Sequence, residues 1–216
     1  LKFYESLVWQ DYYSTQPQAI ALSQIHSDRR PFILGTPVLS TADNLVLPLP
    51  FASSIIDDIQ RSTQHGIERQ TLLDQLQLDP SQLDSLLRFF STEPIATRHK
   101  RYDGEGVRVR YYGHACLLIE SKDTAILIDP LISYDYPAEI ERFTYSDLPD
   151  QIDYVLITHA HQDHFSIETL LKIRHRVKNI VVPRNNRGDL VDPSLKRILQ
   201  HMGFANVIEL EEMDQV

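Results

Sequence analysis

His159, His161, Asp163 and His164 are four potential metal ligands within six residues, directly after the apolar run Tyr154-Val155-Leu156-Ile157. Imidazole nitrogens and carboxylate oxygens together suit zinc, iron or manganese, and local geometry and metal supply decide among them more than intrinsic affinity does. On an extended chain His159 and His161 project to the same side, because side chains alternate with period two, so both rings can reach one ion. Asp163 and His164 are adjacent and serve a common centre only if the backbone has turned. Ser166 followed by Ile167, Leu170 and Leu171 reads as a capped helix, which places a turn there. A strand, a tight ligand loop and a helix then offer one pair of ligands to one ion and a second pair to its neighbour, the basis of a two-metal site. Solvated loop histidines are the plain alternative in a chain with nine His. The strand before and the helix after favour ligands.

The elements that must hold this cluster begin after Asp103-Gly104-Glu105-Gly106, a glycine-rich turn that divides the chain near residue 105. Strands are predicted near 107–112, 115–120, 124–129 and 152–158, then a helix from about 166 and a strand over Asn179 to Pro183. A further helix carries Leu195, Ile198, Leu199 and Met202 on one face, with Gly203 stopping it in a left-handed conformation, and a strand follows over Asn206 to Leu210. This is an α/β pattern. Ahead of the turn, three helical periods run over Ala52 to Thr63 (Ile55, Ile59), Glu68 to Leu78 (Leu72, Leu76) and Ser81 to Ser91 (Leu83, Leu86, Leu87, Phe90), with Asp79 as a cap and Pro80 at the first helical position. Three short helices followed by Val107 to Tyr112 suggest a winged-helix-like accessory unit over 1–105, more suited to docking or packing than to catalysis.

Composition narrows the function classes. At 216 residues and 25.0 kDa, with 42% apolar and 24% charged residues, the chain can bury one or two cores. No apolar stretch reaches the roughly 20 residues that a membrane span needs, and Leu1 opens no signal-peptide pattern. The net charge of −9 opposes broad nucleic-acid binding. The single cysteine, Cys116, cannot form an internal disulfide, which fits a cytoplasmic location; it lies in an apolar strand and reads as a small buried hydrophobe.

Thr158 through His164 resembles the His-x-His-x-Asp-His motif of the metallo-β-lactamase fold superfamily, and Tyr112-Gly113-His114-Ala115-Cys116-Leu117-Leu118-Ile119-Glu120 with Ala125-Ile126-Leu127-Ile128-Asp129-Pro130 resembles that fold's opening strands. The resemblance implies that His159 and His161 bind metal one and Asp163 and His164 metal two, with Asp163 positioning the nucleophile if the protein is a hydrolase. It also makes Asp129 a supporting residue behind the site, although Asp-Pro is equally an ordinary turn signal. A narrower stretch, Arg142 to His159 continuing through Glu168 to Arg174, is similar to the dinuclear-iron β-hydroxylase of chloramphenicol biosynthesis and its relatives. Those enzymes place an extra N-terminal domain before the metallo-β-lactamase fold. The implied architecture is the first half of an αββα sandwich over 106–216, preceded by the mainly helical unit. The implied chemistry is a dinuclear-iron oxygenase, with O2 as co-substrate, that hydroxylates the β-carbon of an amino acid held as a thioester on an aminoacyl carrier protein of a peptide synthetase.

In that family further ligands follow from later strands, and the β-hydroxylases use Glu where hydrolases use His at the first of them. After His164 only His175 and His201 remain, both assigned to surface or helix-end roles. The chain is therefore expected to be the N-terminal part of a longer protein, with its deciding ligands beyond Val216. Lys172, Arg174, His175, Arg176, Lys178, Arg184 and Arg187 gather positive charge just past the motif. They either receive an acidic carrier protein or merely complement a helix dipole, and charge runs usually do the latter. Three functions stay open: the diiron oxygenase, a zinc- or manganese-dependent hydrolase of an ester, lactone or phosphodiester, and a non-catalytic docking module. A homodimer is compatible with any of them.

Overall fold

A computed structural model describes residues 15–28, 43–76, 83–93, 95–184 and 194–215. The expected cap Asp79, Pro80 and Arg187 lie outside the described residues.

Alternating side chains from Arg108 onward build a six-stranded sheet whose spatial order follows the sequence. We label its strands after the two N-terminal ones, β1 (Ile20–Ser23) and β2 (Asn44–Leu47). The sheet then runs β3 (Arg108–Gly113), β4 (Cys116–Glu120), β5 (Ala125–Ile128), β6 (Ile152–Leu156), β7 (Val177–Pro183) and β8 (Val207–Leu210). The first three strands pair antiparallel through short hairpins, and β5 to β8 pair parallel. Parallel neighbours need crossover connections. Helix α4 (Ile167–Ile173) links β6 to β7, and α5 (Leu195–His201) lies between β7 and β8. Helix α4 starts where expected because Ser166 caps it, accepting from Thr169 N, and Ser194 caps α5 in the same way, accepting from Arg197 N.

One face of the sheet is the core. Leu118, Leu127, Val155 and Ile180 are fully buried there, in one cluster with Leu170, Ile173, Leu195 and Leu199. The opposite face carries Val109, Tyr111, Leu117, Ile119, Ile126, Ile128, Tyr154 and Leu156, which sit side by side through the strand register. Val109 and Tyr111 are 58% and 61% exposed, and the rest are half-buried. An apolar sheet face of that breadth calls for a covering layer, and it is the face on which an αββα sandwich stacks its second sheet.

The N-terminal unit differs from its expected form in two ways. Its described residues open with the antiparallel pair β1–β2, whose four-residue strands are too short to show a period. Its helices α1 (Ser54–His65), α2 (Arg69–Leu76) and α3 (Leu83–Leu87) follow. The stretch 107–112, expected to follow the helices as a wing, is instead the edge of the large sheet, paired with β4. Helix α1 starts two residues later than expected because Ser53 caps it, and this turns Ile56 rather than Ile55 fully inward beside Ile59. Gly66, at φ 70, ends it.

Bends at 104–106 mark the expected junction, yet packing runs straight through it. Leu47, Ile56, Ile59, Leu72 and Leu86 belong to the same core cluster as the sheet. Residues 98 and 99 already bond to the sheet domain: both backbone N–H groups donate to Ser146 O, Arg98 pairs with Asp147 at 2.8 Å, and His99 meets buried Glu120 at 2.7 Å.

The basic run does not form a surface stripe. Arg174 is 7% exposed and bonds Asp57 and the carbonyls of Phe51, Ser53 and Met202. Arg176 reaches the Leu148 and Pro149 carbonyls, Lys172 lies over the rings of Tyr134 and Tyr145, and Arg184 pairs with Glu211. Lys172, Arg174, Arg176 and Arg184 are thus engaged within the fold, whereas Lys178 is 61% exposed, 3.9 Å from Asp153.

His175 is a helix-end residue but not a surface one. Burial first, then the nearby guanidinium groups, push its pKa down to about 4. An unfolded histidine titrates near 6.5, so as pH falls from about 6.5 to about 4 the unfolded chain takes up a proton that the folded one refuses. The fold is therefore expected to lose about 1–2 kcal/mol over that window from this ring alone, partial exposure having reduced the effect. Urea unfolding of wild type and His175→Gln at pH 7 and pH 4.5 checks it: the variant's stability should fall less steeply on acidification.

Candidate metal centre

The cluster sits where β6 ends. Ile157 N still bonds Val181 O, but the strand proper stops at Leu156, and residues 160–165 form a bend and a turn closed by His164 N and Phe165 N, both donating to His161 O. His159 and His161 thus lie in a loop, and strand alternation is not what aligns them. The loop does it: His159 Nε2 and His161 Nδ1 are 3.0 Å apart and the rings are edge-on at 4.5 Å. The same turn brings the His164 ring to 4.0 Å from that of His159, and His164 Nε2 to 3.7 Å from Asp163 Oδ2.

Asp129 ties this loop to the sheet. It ends β5 at φ 42, a left-handed conformation that aspartate tolerates better than most residues, and is 2% exposed. Its Oδ1 accepts from Thr158 N at 2.8 Å, and its Oδ2 accepts from Thr158 Oγ1 at 2.7 Å and His164 Nδ1 at 2.9 Å. Asp129 thus both turns the chain after β5 and anchors the loop through these bonds. With Nδ1 bonded to the carboxylate, His164 keeps Nε2 for the site, which is how a carboxylate fixes tautomer and ring orientation behind a ligand. Thr158 was quoted in the motif without a role. Its hydroxyl also lies 2.9 Å from His159 Nδ1, so the threonine joins Asp129 to His159 while Asp129 holds His164 directly.

Sequence reasoning missed His114. It stands at the tip of the β3–β4 hairpin, in sequence 45 to 50 residues from the motif, and its Nε2 is 2.9 Å from Asp163 Oδ2. Its ring meets that of His164 edge-on at 5.1 Å. His114, Asp163 and His164 each offer one ligand atom, all within 4.8 Å of one another. The Asp163 backbone N–H first, then His164 and His114, hold the Asp163 carboxyl below its usual range. The signal that could have found His114 is Gly113-His114 between two apolar strands, a turn in which a bulky residue has no conformational reason to be.

The other histidines stay apart: His175 and His201 lie at the ends of α4 and α5, as expected of non-ligands. Cys116 is fully buried beneath the hairpin, and burial pushes its thiol up to about 12, so it is neither nucleophile nor ligand at neutral pH. A cleft of about 970 Å³ opens beside the hairpin, lined by Tyr111, Gly113, Tyr136, Ile140, Arg142 and Phe143 among others.

The chain is similar to known proteins over both of its parts. Residues 1–94 match the diiron non-heme beta-hydroxylase N-terminal domain, and residues 108–208 match a beta-lactamase superfamily domain. The chain is 36% identical over 219 residues, covering 99% of itself, to the 4-amino-L-phenylalanyl-[CmlP-peptidyl-carrier-protein] 3-hydroxylase of Streptomyces venezuelae. It spans 41% of that protein's length. A UPF0173 protein of Pyrococcus abyssi is 42% identical over 111 residues, 51% of this chain and 43% of that protein. The crystal structure of CmlA, a diiron beta-hydroxylase from Streptomyces venezuelae, superposes with a TM-score of 0.83 at 35% identity, covering 98% of this chain and 39% of that one.

Proposed function

Because the chain joins a diiron beta-hydroxylase N-terminal domain to a beta-lactamase superfamily domain, we propose that it forms part of a dinuclear-iron oxygenase. Its reaction is hydroxylation of the β-carbon of an amino acid tethered to a carrier protein. The observation that carries this is identity at 36% running through both domains, end to end, with a hydroxylase named for a carrier-bound 4-amino-L-phenylalanyl group.

The residues fit such a centre. Three imidazoles and a carboxylate converge with no lysine or arginine among them, and a buried carboxylate, Asp129, stands behind one of them. His159 Nε2 and His161 Nδ1, hydrogen-bonded at 3.0 Å, are close enough to share a cation in place of that proton. His159 and His161 would hold one iron and Asp163 and His164 the other. When bound, two irons supply the oxygen activation that an unactivated C–H bond requires, which no side chain can provide. The chain's own residues do the rest. Asp129 and Thr158 hold the histidine loop against β5. Among the described residues no helix is long and apolar enough to cross a membrane.

Metal analysis of the purified protein, followed by incubation with O2, a reductant and an aminoacyl-loaded carrier protein, tests this. Two irons per chain, and an added oxygen atom in the carrier-bound product by mass spectrometry, are expected. Bound zinc with release of the aminoacyl group would instead identify a thioester hydrolase, and a metal-free protein that still binds the carrier would identify a docking module.

A further inference from the structure

The geometry points to His114 as a positioning residue that locks the Asp163 carboxylate in place, at the expense of a strained hairpin. This rests on the proposed role of Asp163 as a ligand. The hairpin between β3 and β4 is as short as hairpins come: Gly113 pairs with Cys116, leaving His114 and Ala115 as the two-residue turn. Its first central residue has φ 49, and a turn with positive φ at that position favours glycine, because any Cβ crowds the backbone there. Glycine instead stands one place earlier, at φ 113, beside a register shift between Tyr111 and Gly113 that re-aims the end of the strand.

Of the three described non-glycine residues with positive φ, two are His114 and Asp129, and both hydrogen-bond a proposed ligand. The third, Met213, is 94% exposed near the described C-terminal end. Local strain that persists beside a site is held there by what it positions. His114 spends its strain on one contact: Nε2 donates to Asp163 Oδ2 at 2.9 Å, while its ring covers the edge of His164. Asp163 needs such an anchor. It is half exposed and sits on a turn, whereas His164 beside it is already fixed by Asp129. Two supports from the sheet, Asp129 at the end of β5 and His114 at the β3–β4 turn, thus grip the adjacent pair Asp163-His164 from two sides.

Anaerobic titration of the metal-free full-length protein with Fe(II), followed by calorimetry, separates the possibilities, with thermal melting of the metal-free forms measured alongside. Wild type should take two ions. His114→Gly should weaken the second ion by about 10- to 100-fold and leave the first unchanged. Its metal-free form should melt at or above the wild-type temperature, because glycine relieves the turn. His114→Gln, whose amide can reach and donate to the same oxygen, should restore much of the affinity. If His114→Gly binds both ions as wild type does, or if it melts lower and loses both ions together, His114 does not position Asp163. Failure of His114→Gln to restore affinity would also overturn positioning and make His114 a direct ligand. If wild type takes no second ion, the ligand role of Asp163 falls, and the inference with it.

Discussion

Replacing Arg174 with methionine is expected to destabilise the protein by about 3–5 kcal/mol, although Arg174 lies outside the histidine cluster. The guanidinium is almost wholly enclosed, and each of its three nitrogens donates to a partner from another segment. Nε donates to Asp57 at 3.0 and 3.3 Å, Nη2 to Ser53 O at 2.6 Å, and Nη1 to the carbonyls of Phe51 and Met202. Methionine keeps the length of the stem but strands a carboxylate at 17% side-chain exposure and three backbone carbonyls. Each unsatisfied buried acceptor costs about 1–3 kcal/mol. Lysine should rescue only part, since a single ammonium cannot follow a planar fork to four acceptors. Asp57→Asn should cost less than Arg174→Met, because the carbonyls keep their donor. Urea unfolding of the three variants ranks them, and a loss under 1 kcal/mol for Arg174→Met would show that the clamp carries little. Gly203 extends the same test: a Cβ there would stand 3.1 Å from Arg174 Nη1 and from Ala52 Cα, at φ 85, so Gly203→Ala should disturb the clamp as well.

Arg174 also shows where sequence reasoning ends. Within Lys172 to Lys178 it reads as one cation among several, and charge counting cannot separate a buried clamp from a solvated face. Its partners lie 117 to 123 residues earlier in the N-terminal unit and 28 residues later at Met202, so nothing local marks it. The elements of the sheet were legible for the opposite reason. Period-two alternation from Arg108 to Ile128, the serine caps of α4 and α5 and the glycine after α5 are signals within a few residues, and the strands follow them to within two residues at most boundaries. The four-residue strands β1 and β2 carry no period and were missed.

The site divides along the same line. The loop 158–164 announces itself because its donors are consecutive, while His114 was quoted as part of a strand and nothing more. A hairpin tip and a loop meet only through sheet pairing: β3 must fold on β4, β4 on β5, and β5 must run beside β6 before His114 faces Asp163. Asp129 was half legible, since Asp-Pro marks a turn in any protein. What marks it as more is the convergence of three donors on one buried carboxylate, visible only in the fold.

That convergence makes Asp129→Asn the most damaging of conservative changes at the centre. A carboxylate only accepts, so it places the His164 proton on Nδ1 and leaves the Nε2 lone pair facing Asp163. The amide has one accepting oxygen. It can still receive Thr158 N through the oxygen at the Oδ1 position, but its NH2 then faces Thr158 Oγ1 and His164 Nδ1. His164 satisfies that donor by accepting at Nδ1, which moves its proton to Nε2 and blocks the nitrogen that the metal needs. Asp129→Asn is therefore expected to weaken the second ion by about 100-fold, at the upper end for residues that support a ligand. Its metal-free stability should change little, because volume and most hydrogen bonds survive. Asp129→Ala should do the reverse in part: it leaves Thr158 N and a small cavity uncompensated and costs more stability, about 2 kcal/mol or more. Yet it frees His164 to adopt either tautomer, so its loss of affinity should be no greater than that of asparagine. Fe(II) titration and urea unfolding of the two metal-free variants decide the matter. If asparagine binds the second ion as wild type does, the Asp129 carboxylate is structural, and the proton on His164 is set by something else.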